Sequence, residues 1–274
     1  MSAGPLPRLV TDTALAHLRW HGCGPPVVLL HGVGGGRSAW DAGGSNTGAA
    51  LAAAGHAVLA IDFPGYGLSA SIEPYDLAGM AAALQATLAA TALGPAVLVG
   101  HSMGGMVAQE LAAFAPQTVA ALVLASTSPA FGKPGGDWQQ GFLQSRFAPL
   151  DAGLGMAGLA AQLVPTMVAP GASPTMIQAA QAQMAGVPEA TYRRAVAALV
   201  AFDRRADLPK IAVPTLVITG EADRTAAPEV ARRMAERIPG AVVQVVPDAG
   251  HLLNLEQPAA LHAALLNFLA SARR

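Results

Sequence analysis

The sequence predicts a doubly wound, mostly parallel α/β sheet interrupted by one long helical insertion. Two observations carry this. Short apolar runs at 27–30, 57–61, 96–99, 121–124, 215–219 and 242–246 are near-continuous rather than alternating, as parallel strands covered by helices on both faces should be. Segments with helical spacing lie between several of them. Met103, Met106, Val107, Leu111 and Phe114 share one face of a helix that Pro116 closes, and Leu261, Leu265, Phe268 and Leu269 make another stripe near the C-terminus. Strands alternating with helices are the pattern of a parallel sheet with helical crossovers.

Residues 9–20, ahead of the first buried run, read as an antiparallel edge hairpin. The strand–helix alternation stops between about 128 and 208. Phe131-Gly-Lys-Pro-Gly-Gly opens that segment, and Met156, Leu159, Leu163, Met167, Met176 and Met184 are spread through helix-like stretches. Regularity returns at Ile211-Ala-Val-Pro-Thr-Leu-Val-Ile. Ordinary crossovers are much shorter, so the division expected is a core domain of residues 1–128 and 209–274 and a helical lid at 129–208.

Composition narrows the classes further. The chain has 274 residues, 53% hydrophobic and 12% charged, which excludes a disordered polymer and leaves room for one large core. A formal net charge of −1 supplies no basic face for nucleic acid or an anionic membrane. Cys23 is the one cysteine and sits in the turn-like His21-Gly-Cys-Gly-Pro-Pro, so there is no intrachain disulfide and no convincing catalytic thiol. The N-terminus, Met-Ser-Ala-Gly-Pro-Leu-Pro-Arg, lacks the apolar stretch of a secretory leader. The most apolar long stretch, 77–93, is broken by Gln85 and Thr87 and falls short of a membrane span. A soluble, cytoplasmic protein is the expectation.

The strongest chemical signal is Gly100-His101-Ser102-Met103-Gly104, directly after the run at 96–99 and opening the helix described above. A serine hydroxyl is a weak nucleophile and must be presented beside a base. A G-x-S-x-G turn between strand and helix does this. The strained turn lifts the side chain clear of the sheet, and the flanking glycines let backbone pack where a Cβ would clash. The new helix aims its free N–H groups at a reacting oxyanion. A helix-capping serine in a flexible turn is the bland alternative, and the strand–turn–helix context argues against it.

Four further motifs complete a resemblance. His31-Gly-Val-Gly-Gly-Gly looks like the oxyanion loop of α/β-hydrolases, and Asp62-Phe-Pro-Gly-Tyr-Gly-Leu-Ser matches the D-x-x-G-x-G-x-S segment after their next strand. Gly220-Glu-Ala-Asp223 resembles their acid turn and Asp248-Ala-Gly-His251 their terminal histidine loop. The motifs run in the family's order from about residue 27 to the C-terminus, with no usable match in the lid region. The resemblance implies the α/β-hydrolase fold and a triad of Ser102 as nucleophile, His251 as base and Asp223 as the acid orienting it. Chain order agrees, since serine, acid and histidine follow one another as this fold requires. Asp223 and His251 both follow strand runs, at the sheet edge where ligands sit in open α/β sheets.

Competing residues read as structural. His31 and His101 flank glycine turns, while His17, His21, His56 and His262 fall in edge, turn or helix-face settings. Asp248 suits a loop-shaping role and Asp62 lies in a turn remote from the acid position. For the oxyanion hole, one donor is the Met103 amide, immediately after the nucleophile. The resemblance favours Val33 for the other, with Gly34 the alternative. The loop matches neither phosphate-binding glycine pattern, so no nucleotide cofactor is expected, and an acyl-enzyme route through a serine needs no metal.

A serine at the elbow sets the chain apart from the dehalogenase and epoxide-hydrolase branches, which carry aspartate there. Ester, lactone, thioester and amide hydrolysis remain, with carbon–carbon bond hydrolysis and cofactor-free perhydrolysis. His251-Leu-Leu-Asn-Leu-Glu-Gln-Pro is similar to the segment following the histidine in 3-oxoadipate enol-lactonases, and Leu252 stands where carbon–carbon hydrolases more often place tryptophan. The expectation is therefore a serine hydrolase acting on a small carboxylic ester or lactone and water. A ligand-binding relative is the minor reading, because the triad candidates are complete. Transfer to an acceptor other than water also stays open. In the lid, Trp138, Phe142, Phe147, Met156, Met167, Met176 and Met184 are candidates for an apolar pocket or for core packing. Arg146 suits a substrate carboxylate and a solvated surface equally.

Overall fold

The computed structural model describes residues 6–132 and 135–272. Residues 1–5, where the expectation on the N-terminus falls, 133–134 of the glycine-rich opening of the insertion, and 273–274 lie outside them. Strands β1 (Arg8–Val10) and β2 (His17–Trp20) form the antiparallel edge hairpin, with Leu9 opposite Leu18. They are followed by β3 (Gly24–Leu30), β4 (His56–Ile61), β5 (Ala96–His101), β6 (Val119–Ala125), β7 (Thr215–Gly220) and β8 (Val242–Val246). β2 runs antiparallel to β4, and all later pairings are parallel, giving the order β1-β2-β4-β3-β5-β6-β7-β8.

Helices cover both faces. α1 (Thr47–Ala53) lies before β4, α2 (Leu77–Thr91) between β4 and β5, and α3 (Met103–Phe114) between β5 and β6. Because successive strand side chains point to opposite faces, Val28 and Leu30 join one apolar layer with Leu84 of α2 and Val107 and Leu111 of α3. Val27 and Leu29 join the other, with Leu51 of α1. The near-continuous apolar runs follow from this double burial.

Two expectations need correction. The run at 242–246 is not buried on both faces: it is the terminal strand of the sheet, and Val242 is 59% exposed. Valine suits an edge strand as well as a central one, so its composition alone does not distinguish them. On α3, Met103, Met106, Val107 and Leu111 are buried, but Phe114 in the last turn is 47% exposed.

Between β6 and β7 the chain builds α4 (Asp137–Asp151), α5 (Gly155–Met167), α6 (Pro174–Ala185) and α7 (Glu189–Val200). Their Leu159, Val164, Tyr192 and Val196 belong to the same apolar layer as α2 and α3 rather than to a separate core. The ends of the insertion are clasped: Phe131 N donates to Phe202 O at 3.0 Å, and Arg204 N to Pro129 O at 2.7 Å. Arg204 also grips Glu110 of α3 through two hydrogen bonds. After β7 come α8 (Pro228–Arg237), α9 (Leu253–Glu256) and α10 (Pro258–Ser271), the last adding Leu261, Leu265 and Leu269 to the second layer. No helix of the described residues is long and apolar enough to cross a membrane.

The sheet's interior and edge should respond differently to truncation. Leu98 on β5 is fully buried, so Leu98→Ala is predicted to cost about 2–5 kcal/mol of stability. Val242→Thr should change it by less than about 0.5 kcal/mol. Urea unfolding of the two variants checks both.

Candidate active site

Ser102 occupies the turn where β5 passes directly into α3, with φ 52° and ψ −116°. A non-glycine residue in that region carries strain on the order of 1–3 kcal/mol, and its surroundings hold it there. Its N–H donates to Ala125 O at 2.9 Å, and its carbonyl accepts the Thr127 hydroxyl at 2.7 Å. The flanking glycines are required by space: a Cβ on Gly104 would lie 2.3 Å from Leu30 O, and one on Gly100 would lie 2.5 Å from Gly104 O. The elbow therefore presents the hydroxyl at the sheet's C-terminal edge.

The other triad candidates meet it there. His251 Nε2 lies 3.1 Å from Ser102 Oγ, and His251 Nδ1 lies 2.9 Å from Asp223 Oδ2. Both His251 and Asp223 are buried. Asp223 Oδ1 also accepts the Thr225 and Ala226 amides, each at 2.8 Å. Burial pushes the Asp223 carboxyl up, but the neighbouring imidazole and these donors outweigh it and leave the group below the ordinary carboxylate range. The carboxylate is thus ionised and fixed on Nδ1, which leaves Nε2 facing the serine. Asp248 is exposed in a left-handed turn, with Asp223 in the place beside His251.

The first glycine loop approaches the nucleophile closely, since a Cβ on Gly32 would lie 3.3 Å from Ser102 Cβ. Val33 and Gly34 line the cavity with Ser102. The Val33 carbonyl accepts the Tyr66 hydroxyl at 2.9 Å, which orients that peptide. The Met103 amide lies in the first turn of α3, where helical N–H groups have no intrahelical acceptor. Asp62 braces the loop from behind through Arg37, whose side chain it pairs and whose amide it accepts at 2.8 Å.

His31 and His101 are buried neutral. His31 Nε2 accepts the Phe63 amide at 3.1 Å and its Nδ1 donates to Gly32 O at 2.8 Å, while His101 Nε2 donates to His251 O at 2.7 Å. Burial lowers both pKa values to about 4.

Sequence reasoning missed Glu256, although it stands in the run that followed His251. Its Oε2 accepts the Gly250 amide at 3.0 Å and the Ala169 amide at 2.7 Å, and Oε1 accepts the Leu252 amide at 3.1 Å. His251 N donates to Met167 O at 2.7 Å. The histidine loop and the end of α5 are thereby one hydrogen-bonded unit. A carboxylate grips three amides as a neutral side chain cannot, but this use of Glu256 depends on a distant segment that its neighbours in sequence do not reveal.

The cavity over Ser102 is walled by both parts of the chain. Of the apolar candidates in the insertion, Phe142, Met167 and Met184 line it. Trp138 does not: it is 62% exposed and stacks outside on Phe142. Phe147 lies under the Arg193 guanidinium, and Met156 and Met176 are buried in the apolar layer. Leucine, methionine and aromatic side chains pack equally well in either setting, so only the fold separates them. Arg146 lines the cavity, as do Gln183 and Tyr192, which the sequence did not single out.

A parallel sheet of this order, with a serine, an imidazole and a carboxylate in series at its C-terminal edge, defines an α/β-hydrolase. The comparisons agree. A model described as the Alpha/beta hydrolase family matches residues 27–264, and the chain belongs to that family. RutD of Variovorax paradoxus, a provisionally assigned carbamate hydrolase, is 34% identical over 93% of this chain and 96% of its own. A thermophilic esterase from Thermogutta terrifontis superposes with a TM-score of 0.84 at 26% identity, covering 98% of this chain and 99% of that one. An enol-lactonase from Burkholderia xenovorans LB400 shares the fold, with a TM-score of 0.81 at 24% identity over 96% of this chain and 100% of that one. Hydrolysis is the reaction class that family and neighbours support.

Two predictions follow from the buried groups. Between pH 6.5 and 4 the unfolded chain binds protons that folded His31 and His101 refuse, so stability should fall as pH is lowered through that window. Thermal midpoints measured from pH 8 to pH 4 test this. Glu256→Gln puts an amide donor where an acceptor is needed, and should cost about 1–3 kcal/mol; an unchanged urea midpoint would show that the three amides do not need the carboxylate.

Proposed function

We propose that the protein hydrolyses a small carboxylic ester or lactone through an acyl-enzyme on Ser102, with His251 as base, Asp223 as the orienting acid, and the Met103 and Val33 amides as the oxyanion hole. The observation that carries this reading is the hydrogen-bonded series from Ser102 Oγ through His251 to Asp223, at 3.1 and 2.9 Å, opening on an apolar cavity.

Each residue's part follows from its surroundings. Ser102 Oγ attacks the carbonyl carbon while its proton passes to His251 Nε2. The oxyanion forms against the two amides, which are fixed beforehand by the helix start and the braced glycine loop. When the intermediate collapses, His251 returns the proton to the departing alkoxide; in a lactone that group stays attached through the acyl chain. Water then attacks the acyl-enzyme with His251 again as base, and the acid leaves. Asp223 stabilises the imidazolium that forms in each half. Residues 129–208 act as a lid on a core of 1–128 and 209–274, shielding the acyl-enzyme beneath α4–α7.

Intact-mass measurement after fluorophosphonate treatment tests the nucleophile. One adduct is expected on the wild type and none on Ser102→Ala; a folded wild type that takes no adduct would overturn the proposal. Asp223→Asn should lower kcat by roughly 10³–10⁴.

A further inference from the structure

Among the residues lining the cavity, Arg146 alone carries a permanent charge. It lies on α4, with its guanidinium 4.8 Å from the centre of the Phe142 ring. Its one hydrogen bond among the described residues is to the neighbouring Ser145 Oγ, at 3.2 Å. The other arginines of the insertion are spoken for: Arg193 pairs with Asp151 and Glu189, Arg194 with Glu73, Arg204 with Glu110 and Asp207, and Arg205 with Asp203. Arg146 has no carboxylate within ion-pair distance among the described residues. The arginine that faces the cavity is therefore, among the insertion's arginines, the one without an acid among the described residues.

Two neutral donors share the cavity with it. Gln183 Nε2 is buried without a hydrogen-bond partner among the described residues. The Tyr192 hydroxyl makes no hydrogen bond to them either, and Tyr192 lines the same cavity. Tyr192 is close enough to Arg146 for the cation to oppose the effect of burial, which pushes the phenol up to about 12. The surrounding wall is apolar, with Leu163, Val164 and Val196. Unpaired donors on an apolar wall are costly unless a ligand satisfies them. A guanidinium's fork matches a carboxylate's two oxygens, and hydroxyl and amide donors reinforce that preference.

We propose that Arg146, assisted by Tyr192 and Gln183, forms an anion subsite, and that the substrate is an ester or lactone bearing a carboxylate remote from the scissile carbonyl. A monoester of a dicarboxylic acid is the simplest member of that class. The carboxylate is held at the insertion's wall while the ester carbonyl lies over Ser102. This assignment rests on the ester or lactone hydrolase reading above, and deepens it to a substrate class.

The test compares monoethyl adipate with ethyl hexanoate, matched in acyl length and differing in the terminal carboxylate, by pH-stat titration. The wild type should favour the carboxylated ester by about 10- to 100-fold in kcat/KM, with the difference mainly in KM. Arg146→Met, which keeps an apolar stem, should collapse that ratio to near one. Arg146→Lys should keep part of it, as a point charge without the fork. A wild type that labels with fluorophosphonate at Ser102 but turns over both esters equally, or neither, overturns the subsite and leaves the nucleophile standing. An unchanged ratio in Arg146→Met overturns it as well. No labelling and no turnover of either ester would instead bring down the hydrolase reading on which it rests.

Discussion

The contact between His251 Nδ1 and Asp223 Oδ2, 2.9 Å long and buried from water, ties the turn after β7 to the loop after β8. Most of the cavity's geometry depends on its being made. The imidazole has to reach back from the edge strand, past the ends of β7 and β6, to a serine on β5. Strands lie roughly 5 Å apart in a sheet, so the loop must fold across the strand ends rather than away from them. It does so by pairing with the acid turn: Glu221 N donates to Val246 O and Ala222 N to Ala249 O, both at 2.8 Å. Parallel register does the rest. Gly100 pairs with Leu124, Leu124 with Val217 and Gly220 with Val246, which leaves the ends of these strands nearly level.

That contact is also the electrostatic centre of the site. Two further buried histidines, His101 with its ring centre 5.1 Å from that of His251 and His31 at the glycine loop, are held neutral and serve as hydrogen-bonding spacers. Asp223 keeps its charge because backbone amides and the imidazole replace the water it gave up. In a dry setting an ionised carboxylate acts strongly on its neighbour. His251 is the partner placed to receive that influence.

The insertion is more than a cover. Glu256 binds amides on both sides of His251 and the amide of Ala169, and Met167 O accepts the His251 amide. The wall of the cavity and the proposed base therefore share one hydrogen-bonded backbone. Displacing the end of α5 would also disturb the loop that aims the imidazole. The segments of the insertion that instead touch the core through side chains, such as Arg204 on Glu110, anchor it at its base and leave the cavity side to apolar contacts and a few donors.

The sequence by itself determined the sheet class, the elbow and the order of the serine, acid and histidine motifs. These are local matters: apolar runs, glycines where a Cβ cannot fit, and short motifs that each occupy a single turn. It also carried the edge hairpin at 9–20, because alternation and turn residues are read within a dozen positions. It did not reveal that 242–246 is an edge strand, since exposure depends on which strand lies beside it. Nor did it separate the cavity-lining Phe142, Met167 and Met184 from Met156 and Met176, whose apolar side chains serve either place equally well. Glu256's three amides and, among the described residues, Arg146's missing acid and the unpaired donors of Gln183 and Tyr192 became visible only in the tertiary structure. Each is a relation between segments far apart in the chain, and a side chain's type does not encode what folding places opposite it.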